Sequence, residues 1–180
     1  MFVLGLDPGV SRCGYGCVVR AGGTDRSVAA GVITTPPSDA LPERLAALDH
    51  EFRGLLAELG PRAVAHDPVT APVLAVERLF FQVNARTAMS VGQASGLVLA
   101  AAVQAGWTVV QYTPNEVKQA VAGYGAATKG QVQRMVASLL HLAEPPRPPD
   151  AADALALALC HLARAPMAAR VAHSATGPRR

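Results

Sequence analysis

Three short apolar segments near the N-terminus alternate with turn residues and predict three β-strands. The segments are Phe2–Asp7, Gly14–Arg20 and Ser27–Thr35, separated by a Pro-Gly pair and by Gly-Gly-Thr-Asp. Segments rich in Val, Ile and glycine between such turns are typical of strands joined as hairpins. We therefore expect an antiparallel meander at the start of a sheet.

The next part of the chain changes from strand periodicity to helix periodicity. Apolar residues recur at helical spacing over Leu41–Leu59, and we expect Gly60 and Pro61 to end this helix. Val73–Glu77 is too short for a helix and predicts a buried strand, and Trp107–Tyr112 predicts a fifth strand.

Four more helices are expected in the second half of the chain. They cover Asn84–Ala105, a short segment after the capping Thr113, a segment from the capping Thr128 to Leu140, and a segment from Asp150. Helices between the later strands imply parallel pairing of the first, fourth and fifth strands. The prediction is one α/β domain over residues 1–165, with a five-stranded mixed sheet flanked by helices, and a disordered tail over residues 166–180.

Composition and charge narrow the possible functions. The chain has 180 residues, of which 51% are apolar, and its net charge is +3. Five basic residues and one acid lie between Arg78 and Arg134, so this segment could meet a polyanion. The uncharged stretch Thr87–Asn115 is too weakly apolar for a membrane span, and the N-terminus lacks the features of a signal peptide. We expect a cytoplasmic protein with no membrane contact.

Two carboxylates end apolar strands. Asp7 precedes Pro-Gly, and Glu77 ends the fourth strand. The carboxyl ends of strands in open α/β sheets line the crevice where ligands bind, so parallel neighbours would place these acids side by side. Taken singly, Asp7 could instead serve the turn, and Glu77 could be the partner of an arginine.

A second pair of acids begins the last helix. Asp150 and Asp153 are three residues apart, hence on one face of its first turn. On spacing alone they are explained as helix caps that satisfy free backbone N–H groups. If all four acids came together, their repulsion would require cations, and oxygen ligands favour Mg²⁺ or Mn²⁺. Two such ions can clamp a phosphodiester for hydrolysis.

Five segments in order carry a family resemblance. LGLDPGVSRCGYG, VLAVERLFFQVN, VGQASG, TPNEVKQAVAGYGAATKGQV and PPDAADALALAL resemble the RuvC family of Holliday junction resolvases. The resemblance implies a ribonuclease H-like fold and a homodimer that nicks two strands of a four-way DNA junction with divalent metal, leaving 5'-phosphates and 3'-hydroxyls. It also implies that the protein acts together with the RuvAB branch-migration complex in recombination and repair.

The resemblance assigns roles to individual residues. It assigns four acids as metal ligands: Asp7, Glu77, Asp150 and Asp153. It places Phe80 at the junction centre with Phe81 beside it, and Lys118 and Lys129 near the scissile phosphate. Arg78 and Arg86 are expected only as phosphate contacts. Without the resemblance, the phenylalanines would be read as core residues and the lysines as solvated helix residues.

Three alternatives stay open at this stage. The small residues of the Asn84–Ala105 helix could allow tight packing on the sheet or contact with a second subunit. The segment Asp7-Pro8-Gly9 looks like the first phosphate loop of actin-type and sugar-kinase ATPases, although no second phosphate loop is visible. A junction-binding protein with the same fold but no chemistry is the closer alternative.

Overall fold

The computed structural model describes residues 1–78 and 85–175, and the side chains of residues 85–88 and 166–175 lie outside the description. The strands are β1 (Phe2–Asp7), β2 (Arg12–Ala21), β3 (Thr24–Thr34), β4 (Val73–Glu77) and β5 (Thr108–Tyr112). The helices are α1 (Leu41–His66), α2 (Ala85–Gln104), α3 (Pro114–Ala122), α4 (Lys129–Leu139) and α5 (Pro149–Ala175).

The five strands form one sheet in the order β3-β2-β1-β4-β5. Strands β1 to β3 pair antiparallel, while β4 is parallel to both β1 and β5. The predicted meander and the predicted parallel pairing are both confirmed. Because β1, β4 and β5 are parallel, their carboxyl ends meet at one edge of the sheet.

Alternate residues of each strand enter two separate cores. On one face, Leu4 and Leu6 pack with α1 and α2 through residues such as Phe52. On the other face, Val3 and Ala75 pack with α3, α4 and α5. The period of two along the strands therefore builds a three-layer structure, with the sheet between two layers of helices.

A patch of glycines lets α5 lie directly on the sheet. Gly5 and Gly16 face each other in the β1–β2 register, and Gly14 lies opposite Asp7. A Cβ at Gly5 would overlap the carbonyl oxygen of Ala154 in α5, and one at Gly14 would overlap that of Asp150. Glycine inside a strand commonly marks such a close backbone approach. The patch therefore sets the distance between α5 and the end of β1.

The predicted end of the first helix is wrong. Gly60 and Pro61 do not stop α1, which continues to His66. Pro61 lies on the exposed side of the helix, where it loses one backbone hydrogen bond, and the buried stripe goes on from Leu59 to Ala63. The packing of that stripe holds the helix together across the proline.

Helix α5 extends beyond the domain boundary predicted at residue 165. Helix α5 continues to Ala175, and residues 176–180 lie outside the description. The added segment is rich in alanine and contains arginine, both strong helix formers, although Pro166 cannot donate a backbone hydrogen bond. Extending an existing helix avoids the cost of nucleating a new one.

The uncharged stretch Thr87–Asn115 covers most of α2, all of β5 and the start of α3. Ala94, Val98 and Ala101 of α2 are fully buried in the core of the protein. Among the described residues, no helix has both the length and the apolar character needed to cross a bilayer.

Gly5→Ala should destabilise the protein, because the added methyl group overlaps the α5 backbone. We expect the free energy of unfolding, measured with urea, to fall by about 3 kcal/mol. Gly54→Ala is the matched control, since the space around this glycine of α1 is open, and its stability should rise by up to about 1 kcal/mol. Wild-type stability of Gly5→Ala would contradict the close packing.

Candidate active site

Asp7 and Glu77 lie side by side at the edge of the sheet. Leu6 and Val76 are partners in the parallel register of β1 and β4, and each acid is the next residue along its strand. Both side chains are only partly accessible to solvent. The strand-end position predicted for the two acids is therefore confirmed.

Helix α5 brings the other two acids to the same edge. The helix begins at Pro149, so Asp150 lies in its first turn without being its cap, and Asp153 follows one turn later. The backbone of Asp150 packs on Gly14, the register partner of Asp7. The glycine patch thus places the start of α5 next to the end of β1.

The electrostatics of Asp7 and Glu77 show that the acids share one site. Burial, with the charges of Asp153 and Asp150 beside it, raises the pKa of Asp7 to about 6. Burial, with the charges of Asp7 and Asp153, raises the pKa of Glu77 to about 7. Carboxylates influence one another in this way only at short range or in a poorly solvated site. The four side chains therefore form one acidic group.

Two cations partly balance the acids. Arg12 donates from Nε and Nη2 to Oδ2 of Asp150 at 3.0 and 2.8 Å, and this contact holds the pKa of Asp150 below its usual value. Lys129 Nζ lies 2.5 Å from Oδ2 of Asp153, which raises the pKa of the lysine. Each acid of α5 thus has its own positive partner.

Capping boxes position the two lysines. Thr113 and Glu116 cap α3, which carries Lys118, and Thr128 and Gln131 cap α4, which begins with Lys129. A lysine at the first position of a helix faces the positive end of the helix dipole, so its position there is locally unfavourable. Such local conflicts are expected at functional sites.

A cleft of about 220 Å³ opens beside the acids. Glu77 and Asp153 line it from β4 and α5, and Lys118 and Lys129 line it from α3 and α4. The charges of both lysines act to lower the pKa of Glu77. The cleft therefore exposes carboxylates and ammonium groups together, which is a suitable environment for a phosphate diester and its counter-ions.

The other predicted site residues are Arg78, Phe80, Phe81 and Arg86. Arg78 is exposed, and its charge acts on Glu116, whose pKa lies below the usual value mainly because of the hydrogen bond from the Thr113 backbone. Phe80 and Phe81 lie outside the described residues. Arg86 belongs to α2, but its side chain is outside the description.

The chemistry of the donors fits a hard divalent cation. The carboxylates supply only oxygen, and their mutual repulsion at Asp7 and Glu77 is the kind that a cation relieves. Within the described ranges, however, no group of three or more His, Cys, Asp or Glu side chains is already arranged around one ion. Asp150 and Asp153 are instead turned to Arg12 and Lys129. Metal binding would require these ion pairs to loosen.

Arg12 is a site residue that sequence analysis missed. It begins β2, and the antiparallel register of β1 and β2 places it at the same edge of the sheet as Asp7. The predicted meander already contained this signal, since the first residues of a second hairpin strand lie beside the last residues of the first. The sequence pattern predicts a second strand only from Gly14, which places Arg12 in the turn.

The comparison with family models decides the relationship. The model described as Crossover junction endodeoxyribonuclease RuvC matches residues 3–161. The chain belongs to the RuvC family of crossover junction endodeoxyribonucleases. A relative of that name from Salinispora arenicola is 48% identical over 181 residues, covering 100% of this chain and 98% of the relative. The resemblance stated from the five segments is confirmed.

Two solved structures of Thermus thermophilus RuvC show the same fold. One is 37% identical and has a TM-score of 0.79, covering 93% of this chain and 97% of its own. The other, in complex with Holliday junction substrate, is 36% identical and has a TM-score of 0.79, covering 93% and 96%. The predicted ribonuclease H-like fold with a five-stranded mixed sheet is confirmed.

Glu77→Gln should change how the stability of the metal-free protein depends on pH. Glu77 and Asp7 titrate near 7 and 6 in the folded protein, but at about 4 in an unfolded chain. Between about pH 4 and 7 the folded state therefore binds more protons, so stability falls as pH rises. Removing Glu77 should make this fall shallower and raise stability at pH 8 by about 1 to 3 kcal/mol.

Urea unfolding at pH 5 and pH 8 with a chelator measures this effect. Glu58→Gln is the control, because the Glu58 side chain is 68% exposed on α1 and should leave the pH dependence as in the wild type. An unchanged pH dependence in Glu77→Gln would show that burial and the neighbouring carboxylates do not raise the pKa of Glu77.

Proposed function

We propose that this protein is a structure-specific endonuclease that resolves four-way DNA junctions in recombination and repair. It would hydrolyse one phosphodiester bond in each of two symmetric strands and leave 5'-phosphates and 3'-hydroxyls. The observation that carries the proposal is the meeting of two strand-end acids with two acids of α5 beside a lysine-lined cleft. The Holliday junction bound to the Thermus thermophilus relative supports the choice of substrate.

Nucleases of the RuvC family in general depend on divalent metal. In this chain Asp7, Glu77, Asp150 and Asp153 would hold the metal, which we propose to be two Mg²⁺ ions per subunit, with Mn²⁺ able to replace them. Bound metal of this kind activates the attacking water and stabilises the leaving oxygen. The partial protonation that burial favours at Asp7 and Glu77 would be lost when a cation compensates their charge.

The lysines of the cleft would act on the phosphate. Lys118 and Lys129 line the same cleft as Glu77 and Asp153, so a phosphate beside the acids would also lie near both ammonium groups. Their positive charges would offset the negative charge that develops during hydrolysis. Lys129 would have to share its charge between Asp153 and the phosphate.

The remaining DNA contacts are proposed from sequence position. Phe80 and Phe81 follow Glu77 closely along the chain, so they could stack on bases opened at the junction centre, at about 1 to 3 kcal/mol per base. Arg78 begins the same segment and Arg86 lies just beyond it, and we propose both as phosphate contacts.

Symmetric cutting calls for two active sites, and we propose a homodimer that contacts through α2. Two side chains of this helix are large, apolar and exposed, Met89 at 69% and Val103 at 63%. The space around Gly92 and Gly96 is open, so a second backbone could approach there. We also propose that residues 1–165 act as one nuclease domain, that the enzyme works with the RuvAB complex, and that it acts in the cytoplasm on DNA.

The proposal predicts which DNA is cut. With Mg²⁺, a synthetic four-way junction should be nicked in two symmetric strands, while a linear duplex of the same sequence should be cut little, if at all. A chelator should stop the cutting. Gel mapping of strands labelled in turn measures this. Equal cutting of junction and duplex, or cutting that survives the chelator, would contradict the proposal, and binding without cutting would favour the junction-binding alternative.

Amide replacements should separate cutting from binding. Asp7→Asn and Glu77→Gln should lower the cutting rate on the order of 100-fold or more, while junction binding stays equal or becomes tighter, because negative charge facing the phosphates is removed. Glu58→Gln is the control and should cut at the wild-type rate. Full activity of Asp150→Asn would show that Asp150 serves only Arg12 and the start of α5.

A further inference from the structure

The contact between Arg12 and Asp150 uses only part of each group. Nε and Nη2 of the arginine both donate to Oδ2 of the aspartate. A bidentate pair would instead use both carboxylate oxygens, one for each donor. The arginine side chain is 48% exposed and the aspartate side chain 27%. The pair is thus at the surface of the acidic group, in contact with solvent.

The fold holds the backbone of Arg12 in place. The preceding turn is tight, since a Cβ at Gly9 would overlap the carbonyl oxygen of Arg12. The turn is tied to the end of β3, where the Thr35 hydroxyl donates to the carbonyl of Val10 at 2.6 Å. Arg44 of α1 donates to Thr35 Oγ1 at 3.0 Å and also to the hydroxyl of Ser11. Because the backbone is fixed, a change of partner by Arg12 needs only side-chain rotation.

A divalent cation at Asp150 would compete with this arginine. The guanidinium and the cation are both positive, and both seek the oxygens of one carboxylate. An ion pair exposed to this extent contributes little stability, so the cost of opening it is small. Once released, the guanidinium stays at the mouth of the site, where its planar donors suit a phosphate.

We propose that Arg12 exchanges partners, from Asp150 in the metal-free protein to a DNA phosphate once divalent metal is bound. This inference rests on the metal site of the proposed function. Arg12 is then a further substrate-binding residue, and its binding to DNA depends on the metal. Without metal, the guanidinium of Arg12 balances the charge of the acidic group. With metal bound, the guanidinium binds a DNA phosphate instead.

Titration with Mg²⁺ alone, followed by calorimetry, tests the first half of the exchange. Arg12→Ala should bind Mg²⁺ about two- to fivefold more tightly than the wild type, because no cation has to leave Asp150. Arg53→Ala is the matched control, since Arg53 is 49% exposed and pairs with Asp49 of α1 at 2.8 Å, on the other face of the sheet. It should bind Mg²⁺ as the wild type does.

The result separates this inference from the proposed function. If Glu77→Gln keeps wild-type Mg²⁺ affinity, the proposed metal site itself is wrong. If Glu77→Gln loses affinity while Arg12→Ala binds like the wild type, only the exchange is wrong. Weaker binding by Arg12→Ala would also overturn it, because Arg12 would then hold Asp150 in place for the metal.

Junction binding with and without Ca²⁺ tests the second half. Ca²⁺ takes the same oxygen ligands as Mg²⁺. With Ca²⁺ present, Arg12→Ala should bind a four-way junction about two- to fivefold more weakly than the wild type, and Arg12→Lys should restore part of the loss. Without divalent metal, the loss in Arg12→Ala should be smaller, because Asp150 then holds the guanidinium of the wild type away from the phosphate. A loss of the same size under both conditions would overturn the exchange.

Discussion

The site depends on the close approach of α5 to the β1–β2 hairpin. Three glycines, Gly5, Gly14 and Gly16, leave no side chain between the sheet and the helix backbone. With a methyl group in that space, α5 would have to move outward, taking Asp150 and Asp153 away from Asp7. The position of the acidic group is thus set by backbone packing that lies beside the acids.

The acidic group is costly to hold together without metal. Burial and repulsion raise the pKa values of Asp7 and Glu77, so part of the cost is avoided by protonation. Arg12 and Lys129 offset another part by pairing with the acids of α5. A protein that kept these acids apart would be more stable. The proposed metal site gives a reason for this cost, because the same charges would hold the cations.

The parts that could be predicted from the sequence are those decided by local pattern. Strand ends identified Asp7 and Glu77, and the helical crossovers identified the parallel core of the sheet. Asp150 and Asp153 could be assigned only through family resemblance, because their spacing suits a helix start equally well. The glycine patch, like the pairing of Arg12, depends on contacts between segments more than a hundred residues apart, and no local pattern reports these.

Helices α1 and α5 both extend past the ends that local pattern predicts. Pro61 is a helix breaker by local rules, yet tertiary packing of Leu59 and Ala63 carries α1 past it. The alanine-rich segment after Ala165 extends α5 because the helix is already formed there. In both cases, residues outside the segment decide whether the segment is helical.

We propose that strands β1 and β4 and helix α5 supply ligands to one metal site. Anomalous diffraction from crystals soaked in Mn²⁺ tests it most directly. We expect density that is contacted by oxygens of Asp7 or Glu77 and also by oxygens of Asp150 or Asp153. Density confined to one of the two pairs, or no density at this edge of the sheet, would contradict it.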